Sequence, residues 1–418
     1  MRRGAGGRES AGLRPTFPLS AGGVRGNPPP PDAPCAGPRL NPPNRLTSLD
    51  AFRGATIAGM LLVNNPGSWS HIYGPLQHAA WHGWTPTDMI FPFFLWIVGA
   101  AMVLSFARRR EAGAARAELL RHVAARAAII FALGLFLAAF PFGLLPAHDF
   151  SLARLRIPGV LQRIGVCYLA AGAIALHTGW RGQLAWTAGL LAAWWAAVRF
   201  VPVPGHGAGV LGAEGSLSWW IDSQLLAGHT WGGAPAAGFD PEGIFSTGPA
   251  IASALLGAVA GAMLRTWSGA ALSARLAAGG AGLLALGWLW GLVVPINKNL
   301  WTPSYTVFMA GWAMVLLAGF HWLIDVRGRR AWAAPLVICG TNAIVIFVLA
   351  GMVGRLLGLV RWAGAEGKTV VLKTWLYEGF FAPLADPRNA SLLFALAFVA
   401  AHVVVAWVMW RRKWFVKI

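Results

Sequence analysis

The chain alternates apolar runs of about 20 residues with short polar connections. The runs lie at 46–65, 87–107, 123–141, 158–177, 182–201, 246–265, 275–294, 303–324, 333–355 and 389–410. A helix needs about 20 apolar residues to cross the hydrocarbon of a bilayer, so the pattern predicts ten transmembrane helices. An eleventh stretch, 369–385 (TVVLKTWLYEGFFAPLA), is apolar but short and interrupted by Lys373 and Glu378. It reads as re-entrant, interfacial or an eleventh span. The expected fold class is therefore an all-α polytopic membrane protein, a bundle of ten or eleven transmembrane helices. Spanning segments satisfy their own backbone hydrogen bonds, which makes everything past residue 45 one helical domain. Residues 1–44, rich in Gly, Pro and Arg, lack a signal peptide's apolar core and read as a disordered cytoplasmic tail.

Composition supports this reading. Charged residues make up 12% of the chain, about half the usual share of a soluble domain. The net charge of +19 raises nucleic acid as a partner, but its distribution argues against that. With the N-terminus inside, 23 of the 34 Lys and Arg residues fall on the cytoplasmic side and 8 on the outer side; Arg53, Arg163 and Arg199 lie within spans. That is the asymmetry of membrane topology, with the basic face against anionic headgroups. It puts both termini in the cytoplasm for ten spans. An eleventh would move the RRKWFVK tail outside. The partner implied is the lipid bilayer, and the expected location is a bacterial inner membrane, crossed many times.

Three cysteines (Cys35, Cys167, Cys339) sit far apart, two of them inside apolar runs, and suggest packing rather than a disulfide framework or metal site. The polar groups that call for explanation lie toward the outer face. Residues 66–86, PGSWSHIYGPLQHAAWHGWTP, hold three histidines and four aromatics without a Lys or Arg. The long connection 202–245 carries Glu214, Asp222, His229, Asp240 and Glu242 together with Trp219, Trp220, Trp231 and Phe239. Residues 295–303, PINKNLWTP, form a turn bracketed by prolines.

His78 is the leading candidate for chemistry. A neutral imidazole takes a proton at working pH, and a carboxylate ten residues on, Asp88, can fix its tautomer. The bland alternative is an interfacial histidine without a task. His71, His78 and His82 include an i,i+4 pair, but no H-E-x-x-H pattern or cysteine partner accompanies them, so no metal is expected. Arg53 lies about two turns inside the first span, where ionisable groups are costly and usually functional. It either pairs with Asp50 or meets an anionic ligand. Arg163 starts a span from the outer side, where it can snorkel to the headgroups. Asn64 and Asn65 end the first span as carbonyl-orienting groups or as caps. Asn342 reads as a helix–helix hydrogen bond.

Taken in order, RLTSLDAFRG, VNNPG, LQHAAWHG, TDMIFPFFLWIVG, PGVLQRIGVCYL, FDPEG, INKNLWTPSY, GTNAI and WRRKWFVKI resemble the heparan-α-glucosaminide N-acetyltransferase family and its bacterial relatives, over about 45–418. The resemblance implies a membrane enzyme that takes an acetyl group from cytosolic acetyl-CoA and delivers it to the amine of a glucosamine unit across the membrane. Its active-site histidine falls on His78, the aspartate on Asp88, and the neighbouring asparagine most naturally on Asn64, with Asn65 the alternative. His82 stands where the family often has Asn. The acceptor contacts implied are Asp240 and Glu242 in FDPEG and Asn297 and Lys298 in INKNLWTPSY, with Arg53 on the donor's path. The family suggests a homodimer. The animal enzyme's lysosomal heparan is not carried over, since its lumenal N-terminal domain lies outside the resemblance. The rival reading is a transporter of amino sugars or oligosaccharides, with the same polar groups lining a substrate path. No inverted repeat supports it.

Overall fold

The computed structural model describes residues 46–145, 147–148, 150–364 and 368–416. The expected tail, 1–44, lies outside them. Helix α1 (Thr47–Asn64) stops at Asn64-Asn65-Pro66, where proline has no N–H to continue the ladder and the Asn65 side-chain amide donates back to the Leu61 carbonyl at 3.0 Å. After the histidine loop come α2 (Ile90–Glu111) and α3 (Arg116–Ala139), then α4 (Val160–His177) and α5 (Trp180–Phe200). The connection 202–245 contains one short helix, α6 (Leu217–Leu225), capped by the Ser216 hydroxyl. Helices α7 (Thr247–Thr266), α8 (Gly269–Gly291) and α9 (Pro303–His321) follow.

The run expected to be one span at 333–355 is two helices, α10 (Ala334–Thr341) and α11 (Ala343–Leu359), bent by 75° at Asn342. The break has a visible cause. The Asn342 amide donates to Trp414 O (3.0 Å) and its oxygen accepts from Val416 N (3.1 Å), so the side chain holds the segment after the last helix. The lone intramembrane amide therefore bonds to irregular backbone, not to a neighbouring helix. The uncertain stretch 369–385 is no span. Strand β1 (Arg361–Ala363) pairs antiparallel with β2 (Thr369–Val371), followed by α12 (Leu372–Leu376) and two further short turns, before α13 (Pro387–Arg411).

Seven helices among the described residues are long and apolar enough to cross a membrane, or eight if the bent pair counts as one span. All ten expected runs are helical. Helices α1 and α5 are outside the seven because α1 carries Asp50, Arg53 and Asn64 and α5 carries Arg181, Gln183 and Arg199.

Without a hydrophobic drive between helices in lipid, packing depends on close backbone approach at small residues. A Cβ at Gly257 of α7 would stand 1.9 Å from the Trp96 carbonyl oxygen of α2, and one at Gly99 of α2 would stand 1.8 Å from the Ala254 oxygen of α7. Helices α1 and α10 meet in the same way at Gly54 and Gly340. The first pair of contacts sets α2, which Asp88 immediately precedes, against α7, which follows the segment carrying Asp240 and Glu242.

Candidate active site

The local sequence T-P-T-D builds the first half of the site. Thr85 caps a 3₁₀ turn (Pro86–Met89) that runs into α2, with Pro86 at the first helical position and Asp88 at the third. Asp88 Oδ2 therefore accepts from Thr85 N and from Ala79 N, both at 3.0 Å. The Tyr305 hydroxyl anchors the Asp88 carbonyl at 2.6 Å. What remains is Oδ1, which lies 2.6 Å from His78 Nδ1. A carboxylate only accepts, so Nδ1 carries the proton and Nε2 is left as the ring's acceptor. The Asp88 side chain is 2% exposed and that of His78 52%, so a buried carboxylate orients an open imidazole. The expected pair is thus brought together.

The turn 295–302 supplies the second half. Asn297 is fully buried; its amide donates to Trp81 O (2.9 Å) and its oxygen accepts from Leu300 N (2.8 Å). Gly83 N donates to Ile296 O at 2.7 Å, stitching this turn to the histidine loop. Asn297 is thus a brace within the protein, joining this turn to the histidine loop. Its neighbour Lys298 reaches the reactive end: Nζ lies 3.2 Å from His78 Nδ1, 3.3 Å from Nε2 and 3.7 Å from Asp88 Oδ1. Burial lowers the Lys298 pKa, and the charges of Asp88 and Glu242 oppose this without cancelling it.

Beside Lys298 lies an ion cluster that sequence reading missed. Arg156 donates to Asp240 through Nε (2.9 Å) and Nη2 (2.7 Å), and Nη2 also reaches Glu242. Asp240 further accepts from Trp231 N and Glu242 N, both at 2.9 Å. It is buried with both oxygens engaged and acts as the clasp of the 231–242 segment. Burial raises Glu242, but Arg156, Arg163 and Lys298 together hold its carboxyl below the ordinary range. Arg163 does not snorkel either. It is 2% exposed, donates to Gly243 O at 2.9 Å and to the Ser246 hydroxyl, and lies over the Trp301 ring at 5.2 Å. Asp222 grips the same turn, accepting from Ile244 N at 2.9 Å. Burial pushes Asp222 up to about 7. The available signals were Arg156 just before PGVLQR and the acid pair of FDPEG, which are 84 residues apart.

Asn64 stands exposed at the end of α1, with no side-chain hydrogen bond among the described residues; no contact described joins it to His78 or Asp88. Arg53 donates to Asp50 Oδ1 at 2.9 Å and reaches Gly340 O at 3.4 Å, with 21% of its side chain open. His82 has its pKa lowered by burial and lies 3.3 Å from the Asn297 amide, apart from the His78–Asp88 pair.

A bundle of membrane-length helices with a carboxylate-oriented histidine and a lysine at one mouth defines a polytopic membrane protein with a built polar site. Residues 45–279 match the family described as heparan-alpha-glucosaminide N-acetyltransferase, catalytic, and the chain belongs to that family. It is 28% identical to heparan-alpha-glucosaminide N-acetyltransferase of Mus musculus over 433 residues, which cover 91% of this chain and 61% of the relative. The Homo sapiens protein of the same name is also 28% identical, over 90% of this chain and 60% of its own length. The chain thus spans about three-fifths of the length of these relatives.

Proposed function

We propose that the chain is an integral-membrane acetyltransferase, moving an acetyl group from cytosolic acetyl-CoA to the amine of a glucosamine-type sugar on the outer face. The observation that carries this is His78, with Nδ1 tied to Asp88 at 2.6 Å and Nε2 left as the acceptor beside the Lys298 ammonium at 3.3 Å, within the family to which the chain belongs. An amine attacks a thioester only when it can shed a proton, and a neutral imidazole of fixed tautomer is suited to take it. The amine nitrogen bonds to the acetyl carbon, its proton passes to Nε2, and the carbon–sulfur bond breaks as the proton returns to the thiolate. Asp88 holds the imidazolium formed on the way.

Topology supports the same reading. Ten spans with both termini cytoplasmic put the basic face where the donor's polyanionic nucleotide remains, and Arg53 inside the first span stands on the route of the pantetheine arm. On the outer face, the Glu242 carboxylate, near Lys298 and tied to Arg156, receives the sugar. The location that fits is a bacterial inner membrane, and the family likeness favours a homodimer.

The test is transfer by purified protein from labelled acetyl-CoA to glucosamine. His78→Ala should lower the rate about 10²–10⁴-fold, the usual loss of a general base, with donor binding retained. Full transfer by that variant would remove the histidine from the chemistry and return transport to first place. For transport, the break at Asn342 is the single bent helix pair among the described residues, where a transporter built on repeats needs two in matching positions.

A further inference from the structure

The proposed transfer leaves one charge without a partner. When the amine bonds to the acetyl carbon, the carbonyl π pair moves onto oxygen, and that oxyanion needs a donor aimed at it from about 3 Å. Asn64, the residue expected there, is exposed and has no contact with the pair among those described. Resting on the transferase reading, we propose that Lys298 is a catalytic residue whose ammonium, beside the ring nitrogens of His78, receives the oxyanion of the tetrahedral intermediate.

Three features of the geometry carry this. Nζ is nearly equidistant from the two ring nitrogens, 3.2 and 3.3 Å. The ammonium thus stands beside Nε2, in the space that amine and acetyl group must enter, and the arriving amine displaces it from the Nε2 lone pair. An amine hydrogen-bonded to Nε2 holds the acetyl oxygen two bonds away, within reach of an ammonium that starts 3.3 Å from Nε2. Second, the carboxylates nearby are engaged elsewhere. Asp88 Oδ1 is 3.7 Å from Nζ, an ion-pair distance beyond hydrogen-bond reach, and bonds to His78 instead. Glu242 bonds to Arg156. An ammonium has three N–H groups, and these partners leave it donor capacity toward the mouth. Third, the support is rigid. Asn297 is bonded on both sides of its amide, Thr302 Oγ1 receives Asn297 N at 3.1 Å, and Trp301 holds the left-handed backbone at φ 51° that closes the turn. Preorganised charge stabilises an oxyanion because little reorganises when the charge forms.

The intermediate balances without further reactants. The C–N bond forms, the π pair goes to oxygen beside Lys298, and the amine proton goes to Nε2. Collapse restores the carbonyl, expels the thiolate and hands it the proton from Nε2.

The test compares Lys298→Met, Lys298→Gln and Lys298→Arg in reconstituted protein, with a ketone analogue of acetyl-CoA (CH2 in place of sulfur) as the binding probe. Lys298→Met should lower kcat about 10²–10³-fold, the loss seen on removing an oxyanion donor. KM for each substrate and the Kd of the ketone should stay within about threefold, and Lys298→Arg should recover at least tenfold of the loss. Lys298→Gln, read the same way, decides the matter if the methionine variant does not fold. Loss confined to KM or Kd, or kcat within threefold of wild type, would overturn the inference. Wild type active, His78→Ala inactive and Lys298→Met active sinks this inference alone. A wild type that never transfers acetyl sinks the transferase reading and this inference with it.

Discussion

Asp88 does two jobs with two oxygens. Oδ2 is held by the backbone N–H groups of Ala79 and Thr85, and Oδ1 faces His78. This division makes a specific prediction for Asp88→Asn. The two backbone donors will keep the amide oxygen, which turns the amide NH2 toward His78 Nδ1. Nδ1 must then accept, the proton moves to Nε2, and the base is lost without a change of shape. Transfer by Asp88→Asn should drop about 10²-fold or more while ketone-analogue binding stays near wild type; a rate within threefold would show that the tautomer does not matter. The His78–Asp88 pair was legible because it is local. Ten residues separate the two, and the capping box that aims the carboxylate is written in four consecutive letters. Asp240 was not legible in the same way. From sequence it is an outer-face acid ready for an amino sugar. In the fold, Arg156 from 84 residues away takes both its oxygens, and nothing in either segment announces the other.

At the scale of elements, the long connection before α7 is ordered by buried charge, not by secondary structure. Asp222 of α6 and Arg163 of α4 grip the turn 243–246 from two sides, and that turn carries Glu242 to the mouth of the site. Asp222 is completely buried, and burial pushes it up to about 7, against the Ile244 N–H and the Arg163 charge. In the unfolded chain an aspartate titrates near pH 3.9. Between those pH values the folded chain keeps a proton that the unfolded chain has lost, so this group makes stability fall as pH rises through the window. Asp222→Asn cannot ionise and keeps an acceptor for Ile244 N. Its melting temperature relative to wild type should therefore climb from about pH 4 to about pH 7, driven by about 1.4 kcal/mol per unit at most. A difference that stays flat across that range would show that Asp222 is ionised throughout. The broken helix was partly legible too. Gly340-Thr341-Asn342 interrupts an apolar run, but the backbone that the asparagine serves, at Trp414 and Val416, lies more than 70 residues on.

For the whole molecule, periodicity and composition were enough for a helical membrane bundle, since a bilayer demands long apolar helices whatever their partners are. The number of spans is harder to read, because the helices that serve the site give up apolarity to do so. Helix α1 carries Asp50 and Arg53, and these same residues put a cation on the proposed donor route. The molecule would thus join a basic cytoplasmic face to a histidine mouth on the other side, and its function would be to pass an acetyl group, not a sugar, between them. The most direct measurement uses sealed vesicles containing the protein in known orientation, with acetyl-labelled CoA on the side of the C-terminal RRKWFVK segment and glucosamine on the other. Labelled N-acetylglucosamine should accumulate on the sugar's side with wild type, and at least about 10²-fold more slowly with His78→Ala. Glucosamine crossing unmodified, or equal acetylation by the two proteins, would contradict a transmembrane transfer carried out at His78.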